Sequence, residues 1–87
     1  KSVGIKEVKW SRMRCRVALD QALAGVAIEI RRTVADEEPL AAKTTDEKGH
    51  ASLVVEDEDL MGTSAVIVVL DQQNQLLAKH DTRIGND

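Results

Sequence analysis

The chain has 87 residues, and its 43% apolar share is aliphatic apart from Trp10, the single aromatic residue. A chain of this length forms one domain with a thin core, and the lack of Phe and Tyr removes the stacking surfaces that bind sugars and single-stranded nucleic acids. The net charge of −3 is unevenly spread: residues 1–32 contain eight Lys or Arg and three Asp or Glu, whereas residues 33–87 contain four and twelve. These features exclude a nucleic-acid partner, and no apolar run approaches the ~18–20 residues of a transmembrane segment.

Residues 1–10 are predicted to form an edge strand or a linker from a preceding domain. The apolar positions Val3, Ile5, Val8 and Trp10 are spaced as in an extended strand, but their parity changes after Ile5, which indicates a β-bulge or an adaptable edge. Lys1 is not an initiator Met, so we expect a fragment or a mature domain of a longer protein.

Period-two alternation predicts the next two strands. From residue 13 to residue 19 the apolar side chains share one parity, and after a turn at residues 20–25 the pattern resumes over residues 26–31. The residues of opposite parity in and just before the first of these strands include three basic side chains: Arg12, Arg14 and Arg16. This basic stripe would meet an anionic partner, or it is a solvated strand face near acidic loops.

The clearest mark of β structure is the strand-turn-strand stretch from Ala41 to Val55. Asp46 can bond to backbone amides of the turn, and Gly49 supplies the positive φ that closes it. The stretch predicts a β-hairpin or a hairpin-like corner between two strands.

Two further strands complete the pattern. Residues 65–70 are apolar on both faces and rich in β-branched side chains, which is typical of a central strand covered on both sides. Residues 76–84 alternate and predict an amphipathic last strand, and the segments 33–39 and 71–75 break the alternation. Short strands at this spacing favour a single β-sandwich domain over residues 1–87.

The order of these features resembles the carboxypeptidase regulatory-like or transthyretin-like (prealbumin-like) domains, which are Ig-type β-sandwiches. The similarity covers about residues 13–85 and rests on the LAGV turn at residues 23–26 and the TTDEKG corner at residues 44–49. The resemblance implies an all-β, Ig-like or transthyretin-like sandwich of about seven strands with Greek-key connections. It also implies an extracellular or cell-surface location.

The enzymatic relatives of this family hydrolyse a purine-derived ring with paired His and Arg and a C-terminal Tyr-Arg-Gly-Ser tail. This chain ends instead in RIGND at residues 83–87, and it has His50 where relatives commonly place an aromatic after the corner glycine. A transthyretin-related hydrolase is therefore a remote alternative.

The residues that carry chemistry elsewhere have a structural explanation here. His50 and His80 would need a third ligand to hold a metal, and Cys15 is in phase with the apolar face of its strand, which predicts a core position. The acidic runs at residues 36–38 and 56–59 lack the glycine-punctuated spacing of calcium loops, so we expect solvated loops. We predict no catalytic, metal or cofactor site.

The sequence therefore predicts a non-catalytic β-sandwich module of a larger protein, acting as a structural spacer or a protein-protein interaction domain. Its partner would be another protein or a neighbouring domain of the same chain, and a homo-oligomer is a further arrangement. Pairing would use the edge formed by Val3, Ile5, Val8 and Trp10. The alternative function is a ligand-binding accessory domain for glycans or calcium.

Overall fold

A computed structural model describes residues 2–86, which form two antiparallel sheets. The strands in chain order are β1 (Ile5–Ser11), β2 (Arg14–Leu19), β3 (Ala27–Arg31), β4 (Ala41–Thr44), β5 (His50–Val54), β6 (Ser64–Leu70) and β7 (Leu76–Arg83). One sheet has the order β1-β2-β5 and the other β4-β3-β6-β7, and the one helical element of the described chain is a 3-10 turn at Glu58–Leu60. The predicted all-β fold of about seven strands is confirmed.

The core lies between the two sheets and follows the period-two pattern. In β2 the side chains of Cys15 and Val17 are buried, whereas Arg14 and Arg16 are exposed on the opposite face. The other sheet contributes four fully buried side chains from β3 and β6: Ile28, Ile30, Ile67 and Val69. Ile84, just after β7, is also fully buried in this core. The predicted inward face of β2 and the core position of Cys15 are confirmed.

Strand β6 is apolar on both faces because the outer face of its sheet is also covered. Val66, Val68 and Leu70 form a second buried cluster there, away from the core between the sheets. Glu29 and Arg31 pair with Val68 and Val66 across β3 and β6, and their ion pair of 2.7 Å lies on this same face. Aliphatic stems of charged side chains cover apolar surface well, which accounts for the burial of this face. With both faces buried and a strand paired on each side, β6 is the central strand that the sequence predicts.

The Ala41–Val55 stretch is a corner, and the hairpin alternative is wrong. Strand β4 pairs with β3 in the four-stranded sheet, whereas β5 pairs with β2 in the three-stranded sheet. The buried Thr45 directs the crossing, because its Oγ1 accepts from the Val26 N–H (3.0 Å) and donates to the Leu23 carbonyl (2.6 Å). These bonds attach the corner to the β2–β3 turn, so the chain continues into the opposite sheet.

The strand directions give the sandwich two distinct ends. The corner end contains residue 3, the β2–β3 turn, the β4–β5 corner and the β6–β7 turn. The acidic end contains the β1–β2 turn, the runs at residues 36–38 and 56–59, and residue 86. The described chain therefore enters at one end and leaves at the other, in a molecule whose longest dimension is 37 Å.

Candidate functional site

Strand β1 lies at one edge of the three-stranded sheet, where the sequence predicts an interaction edge. The side chains of Val3, Ile5, Val8 and Trp10 are half-buried and pack against the core. The ring nitrogen Nε1 of Trp10 also donates to Thr82 Oγ1 at 2.9 Å, which links β1 to β7. A partner at this edge would therefore meet backbone groups, because the apolar side chains face inward.

The edge of β1 carries two features that oppose strand pairing. Its register shifts between Ile5 and Glu7, which confirms the bulge expected from the parity change. Lys6 and Lys9 are exposed along the strand. Bulges and lysines are the usual protection of edge strands against association, so β1 is a guarded edge.

The predicted basic stripe is divided between a turn and a strand. Arg12 lies in the β1–β2 turn with φ of 55°, whereas Arg14 and Arg16 lie on the outer face of β2. The structure adds Lys43, which the sequence analysis missed. Lys43 pairs with Ile28, whose side chain points into the core, so Lys43 leaves the edge strand β4 on that same face, beside β5.

Arg16 and Lys43 line a shallow concavity of about 590 Å³. It extends from the outer face of the three-stranded sheet around β5 to β4, and its lining includes Arg16, Lys43, His50 and Ser52. The volume falls within the range of ~300–1,000 Å³ that is usual for ligand sites. The lining is polar, and its charged side chains are the cations Lys9, Arg16 and Lys43 and the anions Glu7 and Asp46.

The cations on this side of the sheet are largely unpaired within the described chain. Among residues 2–86 the ion pairs are Lys9 with Glu7 (3.7 Å) and Arg31 with Glu29, so Arg14, Arg16 and Lys43 have no carboxylate within 4.0 Å. Arg14 Nη1 instead donates to Ser52 Oγ at 3.2 Å. Its guanidinium therefore lies across β5, toward the outer edge of the sheet.

Strand β5 forms the second edge of this sheet, and its backbone is open on one side. The Leu19 N–H donates to the Gly49 carbonyl and the Val55 N–H donates to the Met13 carbonyl, both at 2.9 Å. Bonding alternates along an antiparallel strand, so the odd-numbered residues of β5 face β2. The N–H and C=O groups of Ser52 and Val54 consequently point away from β2, and Ser52 lines the concavity.

Asp46 occupies the open edge of β5 at the corner end of the strand. Its Oδ1 accepts from the N–H groups of His50 (3.0 Å) and Lys48 (2.9 Å), and the Asp46 N–H donates to the His50 carbonyl (2.8 Å). The bonds from His50 and Lys48 hold the pKa of Asp46 below its ordinary value of 3.8. Because the backbone of His50 is occupied in this way, the open edge begins at Ser52.

The structure separates the other candidate residues. His50 lies in β5 and His80 in β7, on different sheets, and residues 2–86 contain no group of three His, Cys, Asp or Glu side chains able to hold a metal ion. Within the acidic run, Asp57 Oδ1 accepts from the Asp59 N–H at 3.0 Å and caps the 3-10 turn. Calcium and glycan binding stay predictions.

Three observations complete the description of the chain. Lys1 and Asp87, which belong to the predicted first segment and the RIGND tail, lie outside the described residues. None of the helical structure in residues 2–86 has the length and apolar composition needed to cross a bilayer. No protein-family model, characterised protein or solved structure matches the chain.

Proposed function

We propose that this chain is a non-catalytic β-sandwich module of a larger protein, which spaces its neighbours and binds a protein partner through a sheet edge. The observation that carries the proposal is the three-stranded sheet. Both of its outer strands direct backbone N–H and C=O groups away from the sheet, and no other strand of the described chain pairs with them. Such edges are the surfaces on which peptide strands add in β-augmentation.

The strand order supports an Ig-like scaffold for this module. In constant-type Ig domains strands A, B and E share one sheet with D, and strands C, F and G form the other. Here β1-β2-β5 and β3-β6-β7 have the corresponding orders, and β4 lies on the second sheet, beside β3. The contact between the LAGV turn and the TTDEKG corner through Thr45 supports the transthyretin-like resemblance.

The path of the chain supports the role as a spacer. Residues 3 and 86 lie at opposite ends of the sandwich, so segments joined at the two ends would be held apart by the body of the domain. The longest dimension of 37 Å sets the scale of that separation. A spacer of this kind needs a stable core and open edges, and it needs no reactive group.

The proposal is tested by self-association and peptide binding measured together. We expect sedimentation over a wide range of concentration, or titration with extended peptides, to reveal binding that slows amide hydrogen exchange along β1 or β5. Val8→Pro removes an N–H on the open side of β1, and Ser52→Pro removes one on the open side of β5, so each variant is the control for the other edge. A concentration-independent monomer in which neither edge gains protection from any peptide would overturn the proposal.

A further inference from the structure

The sandwich has four edge strands, and three of them are guarded. Strand β1 has its bulge and lysines, β4 has four residues, and β7 carries charged side chains and a register shift near its start. Strand β5 has the sequence HASLV, which contains no Lys, Glu, Asp or Pro, and its pairing with β2 shows no register shift. By the rules that protect natural sheet edges, β5 is the unguarded edge.

The second half of β5, which contains Ser52 and Val54, has backbone groups available to pair with an added strand. Ser52 and Val54 present N–H and C=O groups on the open side, and no other backbone group of residues 2–86 bonds to them there. The concavity is lined by Ser52 on this side, so an added strand meets open space beside that residue. In the constant-type Ig arrangement a fourth strand pairs on this side of the sheet. Here β4 pairs with β3 in the other sheet, so no strand of the described chain pairs with β5 on this side.

The cations around the open part of this edge indicate the charge of the added strand. The carboxylate of Asp46, at the end of the edge, already accepts from the N–H groups of His50 and Lys48. Arg14 and Arg16 are the cross-strand partners of Val54 and Ser52, so they border the edge on the outer face of the sheet. Arg14 already extends across β5 to reach Ser52 Oγ. Lys43 borders the same edge from the side of β4. A strand added ~4.8 Å beyond β5 would thus have cations beside both of its faces.

We propose that the outer edge of β5 binds an extended, acidic segment of a protein partner, which adds as a fourth strand to the three-stranded sheet. Its carboxylates pair with Arg14, Arg16 and Lys43, and its backbone pairs with Ser52 and Val54. This inference rests on the proposed function, and it names the edge and the chemistry of the partner.

Two other occupants fit this surface less well. A nucleic acid could neutralise the three cations, but it offers no backbone ladder for the N–H and C=O groups of Ser52 and Val54. A second copy paired through its own β5 would bring two outer faces that carry Arg14 and Arg16 side by side, and like charges across an interface oppose association. The acidic peptide satisfies both the backbone and the charges.

The test uses the full chain, labelled with ¹⁵N, and a ten-residue peptide in which Glu alternates with Val. Two matched peptides are the controls: one replaces every Glu with Gln, and the other keeps Glu but carries an N-methyl group on every backbone amide, which blocks both edges of the peptide. We expect the Glu peptide to bind and to slow the exchange of the Ser52 and Val54 amides. We expect the Gln peptide to bind at least about tenfold more weakly, because it lacks all three exposed ion pairs. We expect the N-methyl peptide to give no protection at these amides.

Variants of the chain separate backbone pairing from charge. Ser52→Pro should abolish binding of the Glu peptide, whereas Ser52→Ala, which keeps the N–H, and Val8→Pro, which alters the other edge, should retain it. The double variant Arg14→Gln and Arg16→Gln should bind about tenfold more weakly and show a smaller dependence on salt. Thermal unfolding of each variant verifies that it is folded, and exchange in the unaltered chain remains a test if Ser52→Pro does not fold.

Four outcomes would overturn the inference. Protection at the Val8 and Trp10 amides in place of Ser52 and Val54 would reject β5 as the binding edge while leaving the proposed edge function intact. Equal binding of the Glu and N-methyl peptides would show that the surface binds charge without strand addition. The same conclusion would follow if single-stranded DNA displaced the Glu peptide while the amides of Ser52 and Val54 stayed protected. Absence of any binding by all peptides, with no self-association, would reject the inference and the proposed function together.

Discussion

Gly49 closes the β4–β5 corner in a conformation that few other residues adopt. Its φ is +80°, and a Cβ at this position would collide with the carbonyl oxygen of Gln21 in the β2–β3 turn. Gly62 has a similar φ of +85°, but open space surrounds the position of its Cβ. The two glycines therefore separate the cost of the backbone conformation from the cost of the collision.

Gly49→Ala should destabilise the chain more than Gly62→Ala. Both variants place Ala at positive φ, which costs about 1–2 kcal/mol, and in Gly49→Ala the collision with backbone adds to this cost. We expect a loss of more than about 3 kcal/mol in the free energy of unfolding for Gly49→Ala, measured by denaturant titration. Equal losses in the two variants would show that the corner does not pack on the β2–β3 turn as described.

Asp46 should make the stability of the corner depend on pH in the acidic range. Backbone bonds from His50 and Lys48 lower its pKa in the folded chain, so its contribution is present above the ordinary value of 3.8 and is lost as the pH falls through the lower, folded value. The stability difference between the unaltered chain and Asp46→Asn should therefore be constant above about pH 5 and shrink toward about pH 2. Unfolding curves at each pH measure the difference, and a difference that grows on acidification would contradict the assignment.

Strand β6 shows how one element can be buried on both faces in a sandwich of two layers. One face contacts the core, and the other is covered by Ala27 and lies under the Glu29–Arg31 pair, whose side chains are 20% and 17% exposed. Val68 on this outer face is fully buried, whereas Val54, on the outer face of the other sheet, is 38% exposed. The outer faces of the two sheets therefore differ: the face over β6 is covered by side chains, whereas the face at Val54 is exposed to solvent.

The contrast between Val68 and Val54 predicts different responses to the same substitution. Val68→Thr places a hydroxyl among apolar side chains and should lower the free energy of unfolding by about 1–3 kcal/mol. Val54→Thr should change it by less than about 0.5 kcal/mol, because the side chain remains hydrated. Denaturant unfolding of the two variants measures both values, and a neutral Val68→Thr would show that water reaches the outer face of β6.

Elements with strong alternation were predictable, and those fixed by distant partners were not. The parity of residues 13–19 predicts the inward face of β2, and the apolar run at residues 65–70 predicts a central strand. Strand β4 has four residues, too few to show a face, and its sheet is decided by pairing with β3. For that reason the sequence does not distinguish a hairpin from a hairpin-like corner at Ala41–Val55, and it does not indicate that Lys43 lies beside β5. It also missed Thr45, because a polar residue in a turn gives no sign of burial.

At the scale of the whole molecule, the first and last strands belong to different sheets, and a side-chain bond joins them. Trp10 in β1 donates to Thr82 in β7, which closes the side of the sandwich opposite the β4–β5 contacts. The single aromatic residue of the chain is thus placed where the two sheets meet. Its ring contributes apolar contact to the core, and its nitrogen links the sheets.

A double-mutant cycle measures what this link contributes. Trp10→Phe removes the N–H donor and keeps an aromatic ring, and Thr82→Val removes the acceptor with little change of shape. We expect a coupling free energy of about 0.5–1.5 kcal/mol between the two sites, in the range of a single hydrogen bond. Additive effects of the two substitutions on unfolding would show that the bond makes no contribution to holding the sheets together.

The opposite positions of the chain ends have a mechanical consequence. A tension applied between residue 3 and residue 86 would act along β1 and β7, parallel to the strands. The hydrogen bonds of the antiparallel pairs β1–β2 and β6–β7 lie perpendicular to that direction. Such a pull would act on all the hydrogen bonds of a strand pair at the same time, in shear. A force perpendicular to the strands would instead break these bonds one after another. The geometry that separates the two ends therefore also makes the sandwich a stiff link when it is stretched.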